Sequence, residues 1–260
     1  MPKLKNKFFN SATENDTLTM SFYDMIGASM WDDSGATPAL VAEALKTQCQ
    51  NIEIHINSPG GDAFAGIAIY NLLKNSNKPV NVIIDGMAAS AASIVAMAGD
   101  TIVMATGSVM MIHEAMAMAF GNSDAMTKMA ETLTTVTSGI ADIYVAKTGL
   151  AKKDVLKMQN VETWMTAEDA VAKGFATSVS ADQAAVENSF DLKAFRNAPA
   201  SLKPQAKAEE VSEPVEEPVE EKPVVIDVTT VADEEPQFIT VAAKDLISLY
   251  THQLEVNKRK

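Results

Sequence analysis

The stretch NIEIHINSPGGDAFAGIAIYNLL, residues 51–73, decides the fold. Ile52, Ile54 and Ile56 alternate with polar residues, the period of a strand that turns one face to a core. Pro59, Gly60 and Gly61 break the run, and Ala65, Ile69, Leu72 and Leu73 then share one face of a helix. Strand, glycine turn and helix in that order open an α/β unit.

The pattern recurs downstream. PVNVIIDG (79–86) is a short β-branched strand expected to end at Gly86, and SAASIVAMAG (90–99) is a buried helix expected to close at Gly99. DTIVMA (100–105) and GSVMMIHEA (107–115) each carry a further strand, so the order predicts a layer of parallel strands. Residues 122–148 form the longest predicted helix. Its apolar residues Met126, Met129, Leu133, Val136, Ile140 and Ile143 step by threes and fours, a narrow seam that predicts a projecting helix and a subunit contact.

From about residue 190 the chain changes character. Residues 207–236 hold eleven acidic and two basic residues with four prolines, too little apolar surface to offset ordering entropy. The expected organisation is a folded domain over 1–190, an acidic Pro-rich linker over 191–236 and a short helical tail over 237–260, where a partner could dock.

The net charge of -13 argues against nucleic acid as a partner, because a phosphate backbone would be repelled. The single cysteine, Cys49, excludes an intramolecular disulfide and fits a reducing compartment. No signal-peptide pattern opens the sequence, and its most apolar window is about half the ~20 residues of a membrane span, so a soluble, cytoplasmic protein is expected. Neither His55 nor Cys49 has partners at metal-ligand spacing and no phosphate-binding loop occurs, so no metal and no cofactor are expected.

Nucleophilic hydrolysis needs a nucleophile, a base and donors for an oxyanion. Ser90 sits where strand gives way to helix, close to free N–H groups, although a plain N-cap reads the same way. Ser93, one turn further in, reads as a serine bonded to its own helix's carbonyls. His113 ends the run VMMI where a strand enters a loop, a natural place for a base; His55 reads as a strand histidine, and His252 lies in the tail. The NSPGG turn leaves backbone open to a ligand, and parallel α/β folds gather their sites at such strand ends.

Four blocks, INSPGGDAFAGIAIYNLL, DGMAASAASIVAMAGD, VMMIHEA and ETWMTAEDAVAKGFA, stand in the order seen in the ClpP-like serine peptidases, and the sequence most resembles the phage head maturation (prohead) branch over roughly residues 15–180. The resemblance implies an α/β ClpP/crotonase-like superhelix of repeated strand-strand-helix units. It implies Ser90 as nucleophile, His113 as base, and the N–H groups of Gly61 and Ala91 as oxyanion donors. Where the family commonly has an aspartate as third member this sequence has Glu162, which can also accept an imidazole N–H. Glu168 and Asp169 are weaker candidates within the following helix.

The activity so implied is serine endopeptidase action on protein or peptide substrates, capsid or scaffold proteins among them, in a host-cell cytoplasm or prohead. The implied assembly is a homo-oligomer of rings stacked through the 122–148 helix, with any ATP-driven unfolding supplied by a separate protein. Three other readings stand beside it. The chain is mainly a capsid-assembly scaffold, or it follows the crotonases in using oxyanion N–H pairs without a serine, or it follows the signal-peptide peptidases in using a lysine base. Self-processing between about residues 190 and 210 would release the acidic tail.

Overall fold

The computed structural model describes residues 9–28, 35–181, 192 and 195–199, and the backbone of two short strands at 224–226 and 239–241. The chain opens with a hairpin of β1 (Phe9–Glu14) and β2 (Thr17–Phe22), turned through Asn15 and Asp16, both at positive φ as such two-residue turns require. After α1 (Pro38–Ala44) the expected units follow. They are β3 (Asn51–Ser58), α2 (Ala63–Lys74), β4 (Val80–Ala89), α3 (Ala91–Ala96), β5 (Thr101–Ala105) and β6 (Val109–Ile112). The long helix α4 (Ser123–Thr148) leads to α5 (Lys152–Asn160), β7 (Thr163–Thr166), α6 (Ala167–Ala172) and β8 (Ser178–Ser180).

One eight-stranded sheet runs β1-β2-β3-β4-β5-β8, with β6 on β4 and β7 on β6. Every pairing from β2 to β5 is parallel, as are β4–β6 and β5–β8, whereas β1–β2 and β6–β7 are antiparallel. Ile52, Ile54 and Ile56 are all buried, each contributing about 1.5–3 kcal/mol by leaving water. The alternation turns His55 to the opposite face, where its Nδ1 lies 3.0 Å from Asp85, which also accepts the Tyr23 hydroxyl at 2.8 Å.

Three expectations shift in detail. First, β4 continues through Gly86 to Ala89, because its far end finds a new neighbour: residues 81–84 pair with β5, then 87–89 pair with β6. Second, α3 ends at Ala96, and Met97 caps it in right-handed geometry, so Gly99 does not close the helix. Third, the α4 seam does not project along its whole length. Ile140, Ala141 and Tyr144 are buried in the body, the Tyr144 hydroxyl meets Ser93 Oγ at 2.8 Å, and only the N-terminal half stands exposed.

By internal contacts the chain divides into two units, residues 1–205 and 206–260. The first includes Leu192 and Ala198, buried against Met87, Ala89 and Met111, so ordered packing continues beyond residue 190. In the second, β9 (Val224–Ile226) and β10 (Ile239–Val241) pair antiparallel, so residues 239–241 are strand where the sequence suggests a helical tail. Apart from residues 192, 195–199, 224–226 and 239–241, the linker and the tail, with His252, lie outside the described residues. Among the described residues no helix is long and apolar enough to cross a membrane.

Candidate active site

Strand register brings the site together. Ala89 of β4 stands opposite Met111 of β6, and the Ser90 N–H donates to the Met111 carbonyl at 2.9 Å, so the strands end side by side. Ser90 and His113 each lie just past a strand end, and Ser90 Oγ is 2.7 Å from His113 Nε2. Ser90 has φ 53 and ψ -124 and makes no side-chain cap to its helix. The N-cap reading therefore fails: the hydroxyl that would satisfy α3 is turned to the imidazole instead, on a backbone conformation that costs a non-glycine residue about 1–3 kcal/mol.

The alanines around Ser90 serve packing. Ala88, Ala89, Ala91, Ala92 and Ala96 are all buried, and α2 approaches α3 so closely that a Cβ on Gly66 would lie 3.0 Å from the Ala91 carbonyl oxygen. Ser93 does what its position suggests, donating to the Ser90 carbonyl at 2.6 Å.

The glycine turn lies against the serine. Gly60 and Gly61 have φ 98 and 146, and a Cβ on Gly60 would stand 2.7 Å from the Ser90 Cβ. Ser58 Oγ accepts the Gly60 N–H at 3.1 Å, which fixes the turn from beneath. Ile26 bridges Gly61 by donating to the Gly60 carbonyl and accepting from the Asp62 N–H, so the Gly61 N–H points to the other side. The Ala91 N–H is the first of α3 and has no acceptor within its helix.

The two residues after His113 are tied to α5 and α4. Glu114 N–H donates to the Gln159 carbonyl at 3.2 Å, and Ala115 N–H donates to the buried Thr137 Oγ1 at 3.0 Å. Burial pushes the imidazole pKa down; the Glu162 charge opposes this, Arg196 adds to it and Glu114 opposes it, and the net result lies below the usual range.

The antiparallel β6–β7 register pairs Ile112 with Thr163, so Glu162 stands opposite His113 at the next position. Glu162 is 4% exposed and has φ 54. Its Oε1 accepts the Asn197 N–H at 2.6 Å and the Trp164 indole N–H at 3.1 Å, and its Oε2 accepts the Arg196 N–H at 2.8 Å. Burial pushes this carboxyl up, but those three donors and the His113 charge outweigh it and hold the pKa below the ordinary range. Among the described contacts, no hydrogen bond joins Glu162 to His113; the two are linked by charge. Asp169 instead accepts from the Thr166 hydroxyl and from Lys173, as a helix-start carboxylate does, and Glu168 also stands in that first turn.

Sequence reading did not find Phe195, Arg196 and Asn197. The Phe195 ring makes T-shaped contacts with His113 at 5.7 Å and with Trp164 at 5.8 Å between ring centroids. A lone aromatic in DLKAFRNAPA was the only signal available. Ser90, His113, Gly60, Gly61 and Phe195 share a cleft of about 680 Å³ whose other wall includes Leu133 of α4. Its rim exposes Phe64 and Met116.

The sequence profile of the Clp protease family matches residues 24–183. The chain is similar to the ATP-dependent Clp protease proteolytic subunit of Deinococcus radiodurans, 31% identical over 153 residues that cover 56% of this chain and 75% of that protein. The protein of the same description from Ligilactobacillus salivarius is 32% identical, over 60% of this chain and 81% of its own length. In fold, the chain resembles a ClpP1 variant from Listeria monocytogenes, with a TM-score of 0.55 at 20% identity, covering 64% of this chain and 92% of that one. With most of its folded part matched by the profile and by relatives over most of their length, this chain belongs to the Clp protease family of serine-type peptidases.

Proposed function

We propose that the chain is an endopeptidase that cleaves through an acyl-enzyme on Ser90, and that it serves the maturation of phage heads. The observation that carries the chemistry is the 2.7 Å approach of Ser90 Oγ to His113 Nε2 on a strained serine backbone. Neutral Nε2 takes the hydroxyl proton as Oγ bonds to the substrate carbonyl carbon. The N–H groups of Gly61 and Ala91 receive the oxyanion, and His113 then gives the proton to the leaving amine. Water repeats the sequence in reverse and frees Ser90. Glu162 acts as the third member through its charge, which favours the imidazolium at the moment it forms.

Substrate adds as an extended strand beside the glycine turn, with apolar side chains directed to the cleft near Phe64 and Met116. The phage head-maturation role, with capsid or scaffold proteins as substrates in a prohead or host cytoplasm, rests on the resemblance of the four sequence blocks. The relatives' description as proteolytic subunits of ATP-dependent proteases supports a homo-oligomer, stacked through the exposed half of α4, that works with a separate ATP-driven unfoldase. A segment carried on the same chain meets the site at high effective concentration, so self-processing falls between about residues 190 and 210. A fluorophosphonate tests the chemistry: one adduct mapped to Ser90 is expected, and an unlabelled, correctly assembled protein would overturn the proposal. Incubation with capsid and scaffold precursors, against a casein control, tests the role; equal cleavage of all three would remove it.

A further inference from the structure

Leu192 and residues 195–199 lie beyond the part of the chain matched by the Clp protease profile, which ends at residue 183, yet they pack onto the site. This segment is anchored at both ends by the buried Leu192 and Ala198. Between these anchors its backbone supplies two of the three donors on Glu162, and the Arg196 guanidinium and Asn197 amide tie it to the carbonyls of Asn160 and Val161 at 3.1 and 2.8 Å. Phe195 makes a T-shaped contact with His113 and also lines the cleft.

A carboxylate offers about four acceptor positions, and the three donors on Glu162 occupy three of them. They fix the plane of the carboxylate opposite His113, where its charge acts on the imidazole. A glutamate has one more rotatable bond than an aspartate, so it loses more orientation when unsupported. The support here comes from outside the profile-matched region.

We propose that Phe195, Arg196 and Asn197 are positioning residues for peptide hydrolysis: the segment orients Glu162 through its backbone N–H groups and seats the His113 ring through Phe195. This rests on the reading of Ser90 and His113 as the catalytic pair. Self-processing that leaves an active body must then cut beyond Pro199, keeping the segment.

The test uses the full chain and follows the rate of fluorophosphonate labelling against pH for wild type, Phe195→Ala, Phe195→Trp and Asn197→Pro. Removing Phe195 exposes the imidazole, whose charged neighbours are Glu162, Arg196 and Glu114, so the acid limb of the profile moves to higher pH. Phe195→Ala is expected to label roughly tenfold more slowly, short of the hundredfold or more that loss of a general base costs, with Phe195→Trp close to wild type. Asn197→Pro, which deletes one N–H to Glu162, should slow labelling to a similar degree. Wild-type rates and an unmoved profile in Phe195→Ala and Asn197→Pro would overturn the proposal. So would loss of cooperative unfolding in both, which would assign the segment to stability alone. Wild type that does not label at all would instead overturn the reading of Ser90 beneath it.

Discussion

Replacing Gly60 by alanine should damage catalysis more than stability. The new Cβ would meet the Ala89 carbonyl oxygen at 2.6 Å, the Ser90 Cβ at 2.7 Å and the Ala91 N at 2.9 Å, all closer than the 3.0 Å that real Cβ contacts keep. Two of those atoms belong to the nucleophile and to a proposed oxyanion donor. Relief requires the Ala89–Ala91 backbone to retreat by about 0.4 Å, away from the position that puts Oγ 2.7 Å from His113. A misplacement of about 1 Å costs on the order of a hundredfold in rate, so a loss of roughly tenfold to hundredfold in kcat is expected, about 1.4–2.7 kcal/mol of barrier. The φ of 98 adds strain of about 1–3 kcal/mol to the folded state, which lowers Tm by several degrees. Peptide hydrolysis across substrate concentrations, with thermal unfolding alongside, separates the two effects. A folded Gly60→Ala protein with wild-type kcat would refute the claim that the glycine turn sets the nucleophile's position.

Further outcomes follow from the same geometry. Because burial lowers the His113 pKa and the base must be neutral, kcat/KM should rise with pH through a midpoint below about 6.5, seen in a pH–rate profile. The hydrogen bond to Asp85, against the opposing effect of burial, raises the His55 pKa above its unfolded value; that stability is present in full below the unfolded pKa and lost as pH rises through the folded one. His55→Gln should therefore lower the unfolding free energy at pH 5.5 more than at pH 8.5, by less than about 1 kcal/mol for a half-buried pair, read by denaturant titration at the two pH values. Gly139 is exposed within α4 and a Cβ there meets nothing within 4 Å, so Gly139→Ala should stabilise by about 0.5–1 kcal/mol in denaturant titration.

Periodicity carried β3 to β6 and α2 to α4, because their buried residues alternate or step regularly and glycines mark the turns. Ser90 and His113 were legible for the same reason: each stands where a strong pattern stops. The β1–β2 hairpin escaped although Leu18, Met20 and Phe22 alternate, since Asn15–Asp16 lacks the glycine that usually marks such a turn. The α4 seam misled because its two halves do different work on one pattern, the first exposed and the second buried under Phe175. Two of the three donors on Glu162 could not be read, because Arg196 and Asn197 contribute backbone N–H groups from 34 and 35 residues away, and a backbone donor leaves no trace in residue type.

Ser90→Ala tests most directly whether Ser90 forms the acyl-enzyme. Removing Oγ deletes the attacking atom but adds no bulk, so fold and assembly should be unchanged. Peptide hydrolysis by the variant should fall by three or more orders of magnitude, leaving only the modest residual rate that binding and the oxyanion donors support. Hydrolysis by Ser90→Ala within tenfold of wild type would contradict the account.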